Sequence, residues 1–219
     1  METCFIGIGG VARSGKDTLS RLLARELESL GNSCSILSLA DPLKQELDDF
    51  CYENFGITAT TDKTEEKLII RDLLVGYGAA KRKLTEGRYF TEEADRRMLH
   101  SKRDVVIIPD MRYDEYEKDE VHWLKQEHGG VLIHLSRFEF DVIEELEDGN
   151  WTGLNGRSFV KPANAHEEAN DPRLSEKSDY KLSWPTFKKK SDEMCLPYVE
   201  KIAQWLIDTG KVSANVLVW

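Results

Sequence analysis

The sequence predicts an α/β fold, with a mostly parallel sheet of about five strands flanked by helices. Three observations carry that prediction. Short apolar runs alternate along the chain with amphipathic stretches of helical spacing. The first apolar run, Cys4-Phe-Ile-Gly-Ile8, leads through a glycine-rich turn into leucines at Leu19, Leu22, Leu23, Leu27 and Leu30. The strongest run, Asp104–Pro109, is β-branched throughout and bounded by charge and proline, as a strand covered on both faces would be.

Taken in order, residues 3–8 read as a buried strand and residues 16–30 as a helix with one leucine face. Gly31-Asn32 supplies the left-handed conformation that ends it. Ser33–Leu39 is a second strand. Asp41 is expected as N-cap, with Pro42 at the first position of a helix reaching about Tyr52. Residues 56–61 are loop, and Asp62-Lys-Thr-Glu65 has the form of a capping box. The helix it opens is expected to turn Leu68, Ile69, Leu73 and Leu74 inward. Residues 79–88 are basic, with Lys81, Arg82, Lys83 and Arg88, and Thr91–Ser101 is another helix. After the Asp104–Pro109 strand, a helix is expected from about Asp114 to Glu127, stopped by Gly129-Gly130. Val131–Leu135 is a fourth strand. Residues 138–175 are polar and without regular pattern, and a stretch of that length reads as a lid or as disorder. Ser178–Ser183 is the last strand, and a helix from about Asp192 to Asp208 follows.

A length of 219 residues suits one domain, 1–219, with 138–175 as an inserted lid. No apolar run approaches the ~20 residues of a membrane span, and no basic leader precedes the first strand. The formal net charge of −10 argues against a nucleic-acid face; Lys188, Lys189 and Lys190, the densest basic run, read as solvated surface. Cys4, Cys34, Cys51 and Cys195 have no metal-ligand spacing and read as reduced thiols, which suits a cytoplasmic protein. A monomer or homodimer is expected, with no nucleic-acid or membrane partner.

Gly10-Val-Ala-Arg-Ser-Gly-Lys-Asp-Thr18 has the G-x-x-x-x-G-K spacing of a P-loop, between a strand and a helix as that motif requires. A polyphosphate needs many donors in a small volume, so backbone N–H groups are used and glycines let them come close. Gly10, Arg13, Ser14, Gly15, Lys16, Asp17 and Thr18 are the candidate ATP-binding residues, with Lys16 as a point charge on the β- and γ-phosphates. With the alternating elements, this loop makes the expected architecture a three-layer P-loop kinase fold. Asp17 stands where Ser or Thr usually ligates Mg²⁺. Asp17 and Thr18 are the metal candidates, ~100° apart around the helix. Asp17 is preferred at the metal, directly or through water, with Thr18 on the α-phosphate. A plain helix-end charge is the other reading of Asp17.

Asp110 ends the strongest strand, where ligands bind in parallel sheets, and is placed to hold Mg²⁺ through water as a Walker-B acid does; Arg112 follows two residues later. Asp41 and Lys44 face the same edge, and Arg71, among leucines on its helix, is expected to face a cleft. Phosphoryl transfer wants several cations around the transferred group. Arg13, Arg112 and Arg137, with Arg157 and Lys161 from the lid, are the candidates. The catalytic set is therefore Lys16, Asp110, Arg112 and Arg137, and the acceptor set Asp41, Lys44, Arg71, Asp110 and Arg112.

Three motifs, Arg13–Thr18 (RSGKDT), Ala40–Lys44 (ADPLK) and Asp110–Glu117 (DMRYDEYE), resemble those of the deoxynucleoside monophosphate kinases of phages. Weaker echoes are Arg71–Gly78 and Leu174–Leu182. The resemblance implies Mg²⁺-dependent phosphorylation of a deoxynucleoside monophosphate by ATP. It places Lys16, Asp17 and Thr18 on donor phosphates and metal, and Asp41, Lys44, Arg71, Asp110 and Arg112 on the acceptor, with Glu115 in support. His166 and Glu176 receive no role. The lysine–aspartate loop also resembles animal phosphomevalonate kinases, whose acceptor is a phosphorylated small acid. Tyr77, Tyr89, Phe90 and Tyr113 are aromatics able to stack a base and favour the nucleotide mildly. A third reading is a nucleotide-binding switch module that moves no phosphate.

Overall fold

Along β1 (Cys4–Gly9) and its neighbours, successive side chains enter opposite cores, so the apolar runs belong to a sheet covered on both faces. Ile6 and Ile8 join one cluster and Phe5 the other; Val105 and Ile107 part from Val106 and Ile108 in the same way, and Ile133 from Leu132. The computed structural model describes residues 3–98, 102–140, 156–187 and 192–214. The Lys188–Lys190 run and residues 141–155 of the expected lid lie outside them.

After β1 come α1 (Lys16–Ser29), β2 (Cys34–Ile36), α2 (Asp41–Phe55), α3 (Thr64–Thr85) and α4 (Arg88–Met98). Then follow β3 (Val105–Met111), α5 (Glu120–His122, continued by a π-helical turn Trp123–Glu127) and β4 (Val131–Phe140). The chain closes with β5 (Arg157–Phe159), α6 (Ala165–Lys177), β6 (Tyr180–Pro185) and α7 (Leu196–Asp208). The strands β2-β3-β1-β4-β6 lie side by side and parallel, and the short β5 pairs antiparallel with the end of β4. This is an α/β fold with a mostly parallel sheet flanked by helices. With β1 between β3 and β4, the turns leaving these strands meet at the carboxyl edge of the sheet, where parallel sheets hold ligands. Helices α1 and α7 cover one face; Trp123, Leu124 and Leu174 help cover the other.

Several elements depart from expectation for local physical reasons. β2 stops at Ile36 because Ser38, Leu39 and Ala40 turn away to bond Asp110. Asp41 is the first residue of α2, not its N-cap; Ala40 takes the cap position and Asp41 pairs with Arg97 at 3.3 Å. The capping box at 62–65 does not form: Lys63 caps α3 without a side-chain bond. The buried stripe of α3 is Ile70, Leu73, Leu74 and Tyr77, packed on α2, while Leu68 and Ile69 are 63% and 65% exposed. The helix expected from Asp114 begins only at Glu120, since Asp119 and Glu120 bind the N–H groups of the preceding loop. The patternless stretch 138–175 contains the end of β4, β5 and all of α6. α6 escapes a hydrophobic reading because its buried face is Glu167, Asn170 and Leu174, and Pro172 lies within it.

Candidate active site

The turn from β1 into α1 is built for an anion. Gly10 and Gly15 have φ of 134° and 101°. A Cβ on Gly10 would meet the Leu135 carbonyl oxygen at 2.2 Å, and one on Gly15 would meet the Trp184 ring at 2.6 Å. Only glycine meets both demands, left-handed backbone and close approach. Trp184 Nε1 donates to Ser14 O at 2.8 Å and pins the loop from β6. Arg13 is exposed at φ 65°. Lys16 is buried, and its Nζ donates to Gly10 O at 2.6 Å and Val11 O at 2.9 Å. Burial and then the Arg112 charge push its pKa down to about 8, while Glu167, Asp17 and Asp110 act in the opposite direction. Two buried polar atoms here have no partner among the described residues, Ser14 Oγ and Arg137 Nε. Orphaned groups of this kind call for a ligand, and a phosphate supplies acceptors for both.

Lys16, Asp17, Thr18, Asp110, Arg112 and Arg137 line one pocket of about 360 Å³ over the loop. A further space of about 420 Å³ runs beside it, between Thr18, Arg21, Arg137 and the Trp184–Phe187 segment. The exposed Asp17 carboxylate and the Thr18 hydroxyl are hard oxygen donors beside the loop lysine. They suit Mg²⁺, which takes one or two protein oxygens and completes its shell with phosphate and water.

A second cleft of about 180 Å³ opens under α2, α3 and α4. Its walls are Leu39, Leu43, Leu74, Val75, Phe90 and Tyr113, and its polar lining is Lys44, Arg82, Asp110, Arg112 and Glu120. Asp110 and Arg112 line this cleft and the phosphate pocket alike, so the two spaces meet at the end of β3. The Asp110 carboxylate is occupied: Oδ2 accepts from Ser38 Oγ at 2.7 Å and Ala40 N at 3.0 Å, and Oδ1 from Leu39 N at 2.9 Å. It shapes the turn that carries Asp41 and Lys44, which sit 4.0 Å apart. Glu115 accepts from Asn170 Nδ2 at 2.8 Å and so braces the loop that carries Arg112. Of the lid candidates, Lys161 is exposed, and Arg157 lies over the Phe138 ring, 4.6 Å from its centroid.

Arg71 needs correction. It is exposed and lines neither cleft, because it falls outside the 70/73/74/77 stripe that packs α3. The arginine that α3 does turn inward is Arg82. Its Nη1 donates to Glu120 Oε1 at 3.1 Å and its Nη2 to Asp119 Oδ2 at 2.5 Å, and Tyr113 lies over its guanidinium at 3.7 Å. Burial works against the Arg82 charge, and Glu120 and Asp119 outweigh it, leaving its pKa raised. Burial pushes Glu120 up to about 8 against the pull of Arg82. Glu120 Oε2 also accepts the N–H groups of Arg112 (2.6 Å) and Tyr113 (3.0 Å), fixing the loop that presents Arg112. Nothing in the sequence marks Arg82, Asp119, Glu120 or Glu167 as a site residue. Arg82 stood in a run of cations, and the acids stood in polar stretches, so no local pattern marked them.

The family model for phosphomevalonate kinase matches residues 8–129, more than half of the chain. The chain belongs to the phosphomevalonate kinase family. The span of the match carries the phosphate loop, Asp110 and Arg112, and stops before β4 and α6. No curated protein sequence matches the chain. Among solved structures, it is similar to an APS kinase from Mycobacterium tuberculosis, at 12% identity over 94% of this chain and 97% of that one, TM-score 0.41. It is also similar to the shikimate kinase of Aquifex aeolicus (16%, 94% and 98%, 0.43) and the dephospho-CoA kinase of Campylobacter jejuni (14%, 94% and 99%, 0.38). Membership in the phosphomevalonate kinase family and the P-loop fold make this chain a phosphotransferase of the kinase type. Among the described residues, no helix is long and apolar enough to cross a membrane.

Proposed function

We propose that the protein transfers the γ-phosphoryl group of ATP to the phosphate of a deoxynucleoside monophosphate, giving the diphosphate and ADP. The observation that carries this reading is the charge balance of the second cleft. Arg82, the cation at its buried wall, is already matched by Asp119 and Glu120. That end offers no free positive charge to a carboxylate. It offers aromatic and aliphatic surface from Phe90, Tyr113, Leu43 and Leu74, which suits a neutral base. Arg112, whose guanidinium has Glu167 3.9 Å away, lies at the junction with the phosphate pocket, where an acceptor phosphate would meet the donor. ATP supply would place the reaction in the cytoplasm.

In this reading the backbone N–H groups of Arg13–Thr18 hold the donor phosphates and Lys16 leaves its two loop carbonyls to follow them. Mg²⁺ held by Asp17, with Thr18 beside it, would neutralise phosphate charge. Arg112 orients the acceptor phosphate, and Arg137, with its Nε unsatisfied, faces charge developing on the transferred group. Asp110 keeps the acceptor turn in place. No base is needed, because the attacking phosphate oxygen is already ionised.

The test is ADP release from Mg-ATP with a panel of deoxy- and ribonucleoside monophosphates and phosphomevalonate as acceptors. Turnover with at least one deoxynucleotide is expected. ATP binding without turnover of any acceptor would instead leave a nucleotide-binding module. A phosphomevalonate acceptor is the second reading, favoured by the family match, and turnover confined to it would select that reading.

Asp17 gives a separate expectation. Asp17→Ala should raise the Mg²⁺ concentration for half-maximal rate by about tenfold, one lost ligand being worth ~1.4 kcal/mol or more. Asp17→Ser should recover part of that loss, since a hydroxyl is the usual ligand there. A magnesium titration unchanged by both substitutions would return Asp17 to a helix-end charge.

A further inference from the structure

Glu167 lies in the first turn of α6, is 9% exposed, and packs against the phosphate loop. Its Oε2 accepts the N–H of Ala12 at 3.1 Å and that of Ala163 at 2.9 Å. Its Oε1 is 3.9 Å from Arg112 Nη1. One nearly buried carboxylate thus touches the donor loop, the connection from β5 to α6, and the arginine shared by the two pockets. The rest of α6 grips the same loop after β3. Asn170 accepts from Asp114 N at 3.1 Å and donates to Glu115 at 2.8 Å, Arg173 donates to Asp114 O at 3.0 Å, and Lys177 pairs with Asp114 at 2.7 Å. Among these contacts, Glu167 alone reaches the Arg112 side chain and the phosphate loop together.

A buried anion beside a polyphosphate site opposes binding of the polyphosphate. Its presence there makes sense if it holds something that transfer needs. We propose that Glu167 is a positioning residue: it holds the Arg112 guanidinium at the junction of the donor and acceptor pockets and fixes the start of the phosphate loop through Ala12. The inference rests on the kinase reading above. The neutral base-sized cleft does not enter it, so the identity of the acceptor leaves it unchanged. Orientation of this sort acts on the rate of transfer more than on ground-state binding.

Glu167→Gln keeps an oxygen for the Ala12 N–H and removes the charge that attracts Arg112. The expected result is a fall in kcat of roughly tenfold, with ATP bound as tightly as before or more tightly, since an anion near the phosphates is gone. In an Arg112→Ala background the same substitution should change kcat by no more than about twofold, the size of ordinary non-additivity error. Glu167→Asp should retain part of the rate. A scaffold residue would behave otherwise: kcat, ATP affinity and melting temperature would fall together, and the loss would be as large with Arg112 already removed. Either of those results overturns the proposal. If Glu167→Gln fails to fold, Glu167→Asp is carried through the same cycle with the same two criteria. If the wild type phosphorylates no acceptor, the kinase reading fails on its own. The cycle is then read from calorimetric Mg-ATP titrations, where non-additive effects of the Glu167 and Arg112 substitutions uphold the coupling and additive ones end it.

Discussion

Lys16→Ala is expected to lower kcat by roughly 10²–10³-fold while the KM of the acceptor changes only a few-fold. Lys16 begins α1, behind a glycine whose left-handed backbone no side chain could share without strain. Its ammonium is buried and bonded to Gly10 O and Val11 O, both within the loop itself. Those carbonyls are replaceable partners. As the β–γ bond breaks, charge grows on the bridging oxygen and the leaving β-phosphate, and a buried cation gains most where that charge grows. Single-turnover rates with saturating acceptor measure this directly. A loss confined to acceptor KM, with the single-turnover rate intact, would remove Lys16 from the transferring end. Because the lysine also ties the loop together, the variant's melting temperature should be followed alongside the rate.

Arg82→Met is expected to cost about 3–5 kcal/mol of stability, on the order of 10 °C in melting temperature for a chain of this length. The arginine is 5% exposed and its two carboxylate partners 0% and 4%. Removing it leaves Asp119 buried without its counter-charge and Glu120 without its donor, while both acids still serve the N–H groups of the loop after β3. Arg82→Met combined with Glu120→Gln should therefore recover part of the loss, a rescue that urea denaturation can resolve. The same acid carries a pH signature. Glu120 stands at about 8 in the fold against an ordinary 4.5, so the folded protein holds that proton more tightly than the unfolded chain does. Stability from this group is full below about 4.5 and is lost as pH rises through about 8. Glu120→Gln should flatten the fall across that window, and an unchanged slope would assign it to other groups.

The resemblance to phage deoxynucleoside monophosphate kinases and the phosphomevalonate kinase family match share the lysine–aspartate loop and the reaction type, and the family match spans Asp110 and Arg112. They differ in acceptor. Arg82 matters here because it is the place where the two readings make opposite demands. A carboxylate in the acceptor wants an unmatched cation, and a base wants a neutral wall. On the proposed reading, Asp119 and Glu120, bonded to Arg82, would supply the second condition.

What the amino-acid sequence determined by itself is local. A strand, a G-x-x-x-x-G-K turn and a leucine-faced helix lie within thirty-odd residues, and each is read by spacing alone. The Asp104–Pro109 run and the Asp110–Arg112 pair after it were legible for the same reason: a strand buried on both faces shows its pattern in consecutive residues. Arg71 and Arg82 mark the limit of such reading. Both sit on α3, and neither the hydrophobic period nor the charge pattern distinguishes them. Only the docking of α3 on α2 and α4 decides that Arg71 meets water and Arg82 meets Asp119 and Glu120. Glu167 makes the same point across 155 residues of chain, since its contact with Ala12 exists only when α6 lies against the loop. The buried face of α6 is polar, and its acid and amide are satisfied by backbone groups of distant turns. Such partners have no period in sequence, so tertiary structure alone determined which charges serve the site.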